Sequence, residues 1–344
     1  MSKSTVLLPL IGFEHKNILS LEGQLLIFKT GLLDLSQKPE GFRRHVSRLW
    51  KLYNQNPITQ AHIYAKIEEE IFEIDLDENG YFRSEFTLKK NYTDKELNTS
   101  LKFYLDKALT QKIKLPSISK GGIKRISEHR KYMVISDIDD TVLITHATSF
   151  LKRIPQTIVK HAFKRKEVKA MSKFYNEMKA QGASFFYVSN SEMNLFWIIK
   201  LFLSTREFPK GPIYLRYHKN WKDFISNRKN IGIGLQKSQH KIDRISYLID
   251  KFPKSKFLLI GDSGQRDPYT YKFIAEKFPD NISGIMIRDV SSGKKDVEML
   301  KIKKDLLALD IPFHIFHDPK EAMRLERRWF NRLNLKEEKL QSHR

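Results

Sequence analysis

Apolar and polar positions alternate through much of the first third of the chain. Phe72, Ile74 and Leu76 alternate with Glu73 and Asp75, the period-2 pattern of a half-buried strand. Asp77-Glu78-Asn79-Gly80 follows, then a second run with Phe82, Phe86 and Leu88 on one face. Asn-Gly accepts the positive φ of a tight turn, so the segment predicts a hairpin. The apolar run from Val6 to Phe13 predicts a first strand, and Leu25 to Phe28 and His62 to Ile67 predict others. Residues 34–59 are largely polar and read as a long loop or short helix, and Leu97 to Leu109 as a short helix. Together these predict a small antiparallel sheet or sandwich.

The pattern changes from Lys131. Tyr132 to Ser136, Ser184 to Val188, Lys256 to Ile260 and Ile282 to Ile287 are short continuous apolar runs. Met171 to Lys179, Ile242 to Lys251 and Tyr269 to Phe278 have helical periodicity and lie between them. Buried strands alternating with helices predict an α/β domain, a parallel sheet covered on both faces. Pro116 to Gly122 is the best linker candidate. The division that follows is a small β-rich domain over 1–120, an α/β domain over 125–320 and a basic C-terminal helix over 321–344.

Composition narrows the classes. A chain of 344 residues with 40% hydrophobic and 30% charged residues is neither disordered nor fibrous. It has no cysteine, which excludes disulfides, thiolate metal sites and a cysteine nucleophile. The net charge is +22, nearly all of it beyond residue 119, and a field of that sign draws polyanions or anionic membrane surfaces. Solubility alone also accounts for such a charge. The first apolar run is short for a secretory core and is followed by Glu14, His15 and Lys16. Leu195 to Leu203, the longest candidate span, is interrupted by Lys200, so any contact with a membrane is expected to be peripheral.

The candidate chemistry lies where the apolar runs end. The first is followed by Asp137-Ile138-Asp139-Asp140-Thr141, the second by Ser189-Asn190-Ser191, and the third by Gly261-Asp262-Ser263-Gly264-Gln265-Arg266-Asp267. In a parallel α/β sheet the carboxyl ends of the strands share one edge, where ligands bind. Carboxylates gathered there repel one another unless a hard cation neutralises them, and an all-oxygen set suits Mg²⁺, which favours phosphate as a further ligand. A carboxylate beside a metal and a phosphate can act as nucleophile, and a second one two residues along can carry the proton for the leaving oxygen. Each cluster alone is weak: acidic turns, strand-ending serines and solvated lysines such as Lys237 are ordinary features.

In this order, SDIDDT, YVSNS, FPKGPIYLR, the His240-Lys241 pair and FLLIGDSGQRDPYTY resemble the actin-patch-protein-type phosphatidate phosphatases and their bacterial relatives, within the haloacid-dehalogenase superfamily. The resemblance covers about 125–320 and implies a haloacid-dehalogenase-like parallel sheet flanked by helices. It implies Asp137 as nucleophile, Asp139 as general acid and then base, Ser189 as a hydrogen-bond donor to the transferring phosphoryl group, and Lys241 as its electrostatic partner. Asn190 and Thr141 would help to bind the substrate. Mg²⁺ would be held by Asp137, Asp262, Asp267 and the backbone carbonyl of Asp139. Asp140 would be a bystander. The implied activity is hydrolysis of phosphatidate to diacylglycerol and phosphate. The protein is expected to be cytoplasmic, to meet a membrane peripherally if it meets one, and, having no aromatic-basic stacking motif, to take no nucleic acid.

Two alternatives remain at this level. One is the same chemistry on a soluble or nucleic-acid phosphomonoester, and the other is a non-catalytic lipid-binding module on the same fold. One further segment, Ser149 to Val168, carries Phe150, Leu151, Ile154, Ile158 and Phe163 at helical spacing among Lys152, Arg153, Lys160, Lys164, Arg165 and Lys166. It reads either as a bilayer-binding amphipathic helix or as a helix packed on the core with a basic outer face.

Overall fold

The structure is a computed structural model. It describes residues 3–29, 56–58, 61–115, 123–126, 132–138, 166–216, 238–291 and 295–325. The chain divides into two compact units, one of residues 1–128 with 194–201, the other of 129–193 with 202–344. The partition thus falls at 128/129 and assigns 194–201, inside the expected α/β domain, to the first unit. The linker candidate 116–122, nearly all of the polar stretch 34–59 and residues 326–344 of the expected C-terminal helix lie outside the described residues. Residues 319–325, which overlap the start of that expected helix, are helical.

The first unit is a two-sheet β structure. β1 (Lys3–His15) and β2 (Ile18–Lys29) form a long antiparallel pair. Their two-residue turn, Lys16-Asn17, has φ of 50° and 61°, the conformation that matches the twist of the strands it joins. The ladder shifts register between Leu7 and Leu10, around Pro9, which has no N–H to contribute. β3 (Asn56–Pro57) and β6 (Tyr81–Thr87) pair with β2, and β8 (Ile123–Arg125) runs parallel to β1. β4 (His62–Ile67) stands between β5 (Glu70–Asp75) and β7 (Lys102–Tyr104) in a second, three-stranded sheet. Leu7, Leu19, Leu21 and Leu25 of the first sheet share a core with Ile63, Ala65, Ile74 and Phe103 of the second. Each large apolar side chain so buried contributes about 1.5–3 kcal/mol.

The expected hairpin at Asp77–Gly80 is corrected. The turn forms, with Gly80 N–H donating to the Asp77 carbonyl at 2.9 Å and Gly80 at φ 67°. Yet β5 pairs with β4 and β6 with β2, so the turn is a corner between sheets. Phe72 of β5 and Phe86 of β6, in different sheets, stack at 4.6 Å between ring centroids. Helix α1 (Asp94–Ser100) is shorter than the expected 97–109 helix. It opens on a capping box between Thr93 and Glu96 and gives way to β7.

The second unit is a six-stranded, all-parallel sheet. In chain order its strands are β9 (Met133–Ser136), β10 (Ser184–Glu192), β11 (Ile213–Arg216), β12 (Phe257–Asp262), β13 (Ile282–Arg288) and β14 (Phe313–Phe316). Their spatial order is β11-β10-β9-β12-β13-β14. All four residues of β9 and all six of β12 are buried, as expected of central parallel strands covered on both faces. The helices that lie between these strands along the chain are α2 (Lys166–Ala180), α3 (Phe196–Thr205), whose residues up to Leu201 fall in the first unit, α4 (Gln239–Lys251), α5 (Asp267–Lys277) and α6 (Asp296–Leu307). α3 is the segment whose apolarity suggested a span. It is ten residues long, with Phe196, Ile199, Phe202 and Leu203 buried. No helix among the described residues is long and apolar enough to cross a membrane.

Strand order reverses between β9 and β12. β9 continues through β10 to β11 on one side, whereas the later strands extend on the other. Such a reversal opens a crevice at the carboxyl ends of the two strands where the direction changes, the usual ligand position in open α/β sheets.

Candidate active site

The register fixes which residues meet at that crevice. Ser136 is level with Tyr187 on β10 and Ile260 on β12. Asp137 therefore stands one residue past the level of Ile260, and its N–H closes the ladder on the Ile260 carbonyl at 2.8 Å. Asp262 ends β12 one residue higher, and Ser189 stands at the same height on β10. Asp267 is the first residue of α5, with Pro268 behind it at the helix start, where a missing N–H costs nothing. A carboxylate there also complements the helix dipole.

Asp137, Asp262 and Asp267 each bring a carboxylate oxygen within 4.8 Å of the others, and none is more than 1% exposed. Lys241 joins them. Its Nζ lies 2.7 Å from Asp137 Oδ1 and donates to Asp267 Oδ1 at 2.5 Å. Lys241 sits in the first turn of α4, where a cation opposes the helix dipole, so its position is explained by the two carboxylates and not by helix stability. Burial alone would push the Lys241 ammonium down. The charges of Asp137 and Asp267, and the hydrogen bonds to them, outweigh burial and hold it above its ordinary value.

Three buried carboxylates and one ammonium leave a deficit that a divalent cation would cancel. Burying like charges without such a partner is costly, and all-oxygen ligands suit a hard ion. The residues present therefore fit Mg²⁺, with Asp137, Asp262 and Asp267 as side-chain ligands.

The backbone around these groups is closely fitted. Asp262 Oδ1 accepts from the Gln265 N–H at 2.9 Å, and the Asp262 N–H reaches Asp267 Oδ2 at 3.4 Å. Ser136 Oγ donates to the carbonyl of Asp137 at 2.6 Å and is 2.7 Å from the Tyr175 hydroxyl. Burial raises the Tyr175 phenol well above its usual range, so it stays protonated beside the site. The Tyr271 hydroxyl donates at 3.0 Å to the Ile260 carbonyl, the same oxygen that accepts from the Asp137 N–H.

Of the sequence-predicted residues, the structure brings Asp137, Lys241, Asp262 and Asp267 together. Ser189 is fully buried at the same sheet edge, where its Oγ accepts from the Ser191 N–H at 2.9 Å, and Asn190 follows it, half-buried. Asp139, Thr141 and Asp140 lie outside the described residues, as does the basic segment 149–168 except for its last three residues, which begin α2. Sequence reasoning missed Lys295, whose Nζ contacts three carbonyls of the loop after β12. It also missed Asp289, which accepts from Ser263 Oγ at 2.7 Å. Lys295 is adjacent to Lys294 in a charged stretch, and nothing local separates a structural lysine from a solvated one.

The described residues thus place a carboxylate cluster bridged by a lysine at the reversal point of a parallel α/β sheet, a donor set that fits a divalent cation. Residues 132–289, just under half of the chain, match a family described as "Phosphatidate phosphatase APP1, catalytic domain", which is the family that the motifs resemble. Phosphatidate phosphatase APP1 of Saccharomyces cerevisiae is 33% identical over 165 residues, 48% of this chain and 27% of that protein. An uncharacterized protein of Schizosaccharomyces pombe is 25% identical over 250 residues, 70% of this chain and 36% of that one. The chain thus spans about a quarter to a third of the length of these curated relatives. Among solved structures, a carbohydrate esterase aligns over 83% of this chain and 88% of its own with a TM-score of 0.24 and 10% identity, too distant to inform the fold.

Proposed function

We propose that the protein is a Mg²⁺-dependent phosphatidate phosphatase of the haloacid-dehalogenase type. The observation that carries this reading is the buried carboxylate cluster, with Lys241 bridging Asp137 and Asp267, at the strand-order reversal. The likeness of residues 132–289 to the named catalytic domain supports phosphatidate as the substrate.

Asp137 attacks the phosphorus atom, the ester P–O bond breaks, and an aspartyl-phosphate forms. Asp139 gives its proton to the departing glycerol oxygen. Water then attacks the same phosphorus and yields its proton to Asp139. The bond to Asp137 breaks, and phosphate leaves. Lys241 keeps Asp137 ionised before attack and offsets the charge on the phosphoryl oxygens during it. Ser189 and Asn190 donate to those oxygens. Mg²⁺ when bound neutralises the carboxylates and the phosphoryl group together.

The lipid lies at a bilayer surface, so the protein meets it peripherally, from the cytoplasm, and the net charge of +22 favours an anionic leaflet. Phosphate release from phosphatidate, lysophosphatidate and soluble monoesters, with Mg²⁺ and with chelator, tests the reading. Release from phosphatidate that chelation abolishes is expected. Release from soluble or nucleic-acid monoesters alone would assign the substrate to that class, and no release from any ester would leave a lipid-binding module.

A further inference from the structure

We infer that Lys295 is a positioning residue for the metal ligand Asp262, an inference that rests on the Mg²⁺ reading above. Lys295 immediately precedes α6, and its Nζ donates to the carbonyl of Ser263 at 2.5 Å, with those of Gly264 and Gln265 at 3.5 and 3.4 Å. These are three successive carbonyls of the loop that joins Asp262 to Asp267.

A trans peptide unit carries its oxygen and its N–H on opposite sides. The unit between Gly264 and Gln265 turns its oxygen toward Lys295 and its N–H toward Asp262 Oδ1, which it meets at 2.9 Å. Lys295 therefore orients the donor that fixes one oxygen of Asp262, and with it the direction of the other. Gly264 allows this close approach: a Cβ there would lie 2.9 Å from Asp262 Oδ1. The same loop is held from a second side. Ser263 Oγ donates to Asp289 and accepts from the Val290 N–H at 3.0 Å, while the Ser263 N–H reaches the Arg288 carbonyl at 2.9 Å. The loop is thus fastened to the segment after β13, and Lys295 supplies its only charged donor among the hydrogen bonds described. An ammonium acting on backbone carbonyls makes charge-assisted bonds, stronger than neutral ones.

The test uses the full chain and Mn²⁺ as probe, with the free ion followed by electron paramagnetic resonance in the absence of substrate. Lys295→Met is expected to weaken Mn²⁺ binding about tenfold, and Lys295→Arg, which keeps charged donors, to stay within about threefold of the original. Turnover of Lys295→Met at saturating Mg²⁺ is expected to recover to within about threefold, since the reacting groups are untouched. Should Lys295→Met fail to fold, Lys295→Gln is expected to show the same weakening. Unchanged Mn²⁺ affinity with a lowered melting temperature would make Lys295 merely structural and overturn the inference. Absence of Mn²⁺ binding to the unaltered protein would instead overturn the Mg²⁺ reading, and this inference with it.

Discussion

Gly261 and Asp267 occupy one another's space: a Cβ on Gly261 would lie 2.5 Å from Asp267 Oδ2 and 2.8 Å from Asp267 Cβ. Both atoms belong to a buried carboxylate side chain that Lys241 holds from its other oxygen, so neither can yield cheaply. Gly261→Ala is therefore expected to destabilise the protein by about 1–3 kcal/mol. It should also weaken Mg²⁺ activation by displacing Asp267. Denaturant unfolding and a Mg²⁺ titration of phosphate release check the two effects. An alanine variant with unaltered Mg²⁺ dependence would show that Asp267 does not act through the metal.

Asp137→Asn preserves shape and removes the charge. The fold should persist, because the Asp137 backbone N–H still bonds the Ile260 carbonyl and Ser136 still bonds its carbonyl oxygen. Turnover is expected to fall at least about a thousandfold, since the amide is not a nucleophile. Rapid-quench trapping of a phosphorylated protein should succeed with the original chain and fail with the variant. Substantial turnover by the asparagine form would remove covalent catalysis.

Much of the second unit was legible because its strands are continuous apolar runs ending in polar clusters, and both halves of that pattern follow from a buried parallel sheet. β9, β10, β12 and β13 fall where the runs lie. β14 has only four residues, Phe313–Phe316, with histidine among them, and α6 leaves Val297, Leu300 and Leu307 exposed, which blurs its periodicity. Asp137, Lys241, Asp262 and Asp267 were legible through ordered motifs, but Lys295 acts through backbone carbonyls and leaves no spacing to read. In the first unit, local signals at Asp77–Gly80 predicted the turn correctly. Which strand each arm would join is decided by non-local packing, such as the Phe72–Phe86 stack, and alternation alone cannot encode it.

His314 on β14 provides a pH-dependent contribution. Burial, and then the charge of Lys303, push its imidazole below the ordinary value of 6.5. The unfolded chain therefore binds the proton more readily. The resulting stability is present above about pH 6.5 and is lost as pH falls toward the folded value. The melting temperature of the unaltered protein is expected to drop between pH 7.5 and 5.5 by more than that of His314→Gln. Parallel curves for the two would assign the acid sensitivity to other groups.

Lys241 shares two carboxylates with the candidate cation site. The ammonium already contacts Asp137 Oδ1 and Asp267 Oδ1, two of the three carboxylates that would bind the ion. Lys241→Met removes that ammonium, and with it one unit of positive charge, from a buried site. Without metal, the stranded carboxylates should cost the fold about 3–5 kcal/mol. With metal, the more negative cluster should bind Mn²⁺ about threefold to tenfold more tightly. Turnover should nevertheless fall about a hundredfold or more, because the charge that offsets the phosphoryl oxygens is gone. Because the raised Lys241 value keeps the ammonium charged from pH 6 to 9, its stabilising effect is fully present there and is lost only as pH climbs through that higher value. Metal affinity and turnover are thus expected to move in opposite directions, measurable by Mn²⁺ titration and phosphate release on one preparation. A variant that loses both together would mean that Lys241 organises the carboxylates for the ion, rather than sharing them with it.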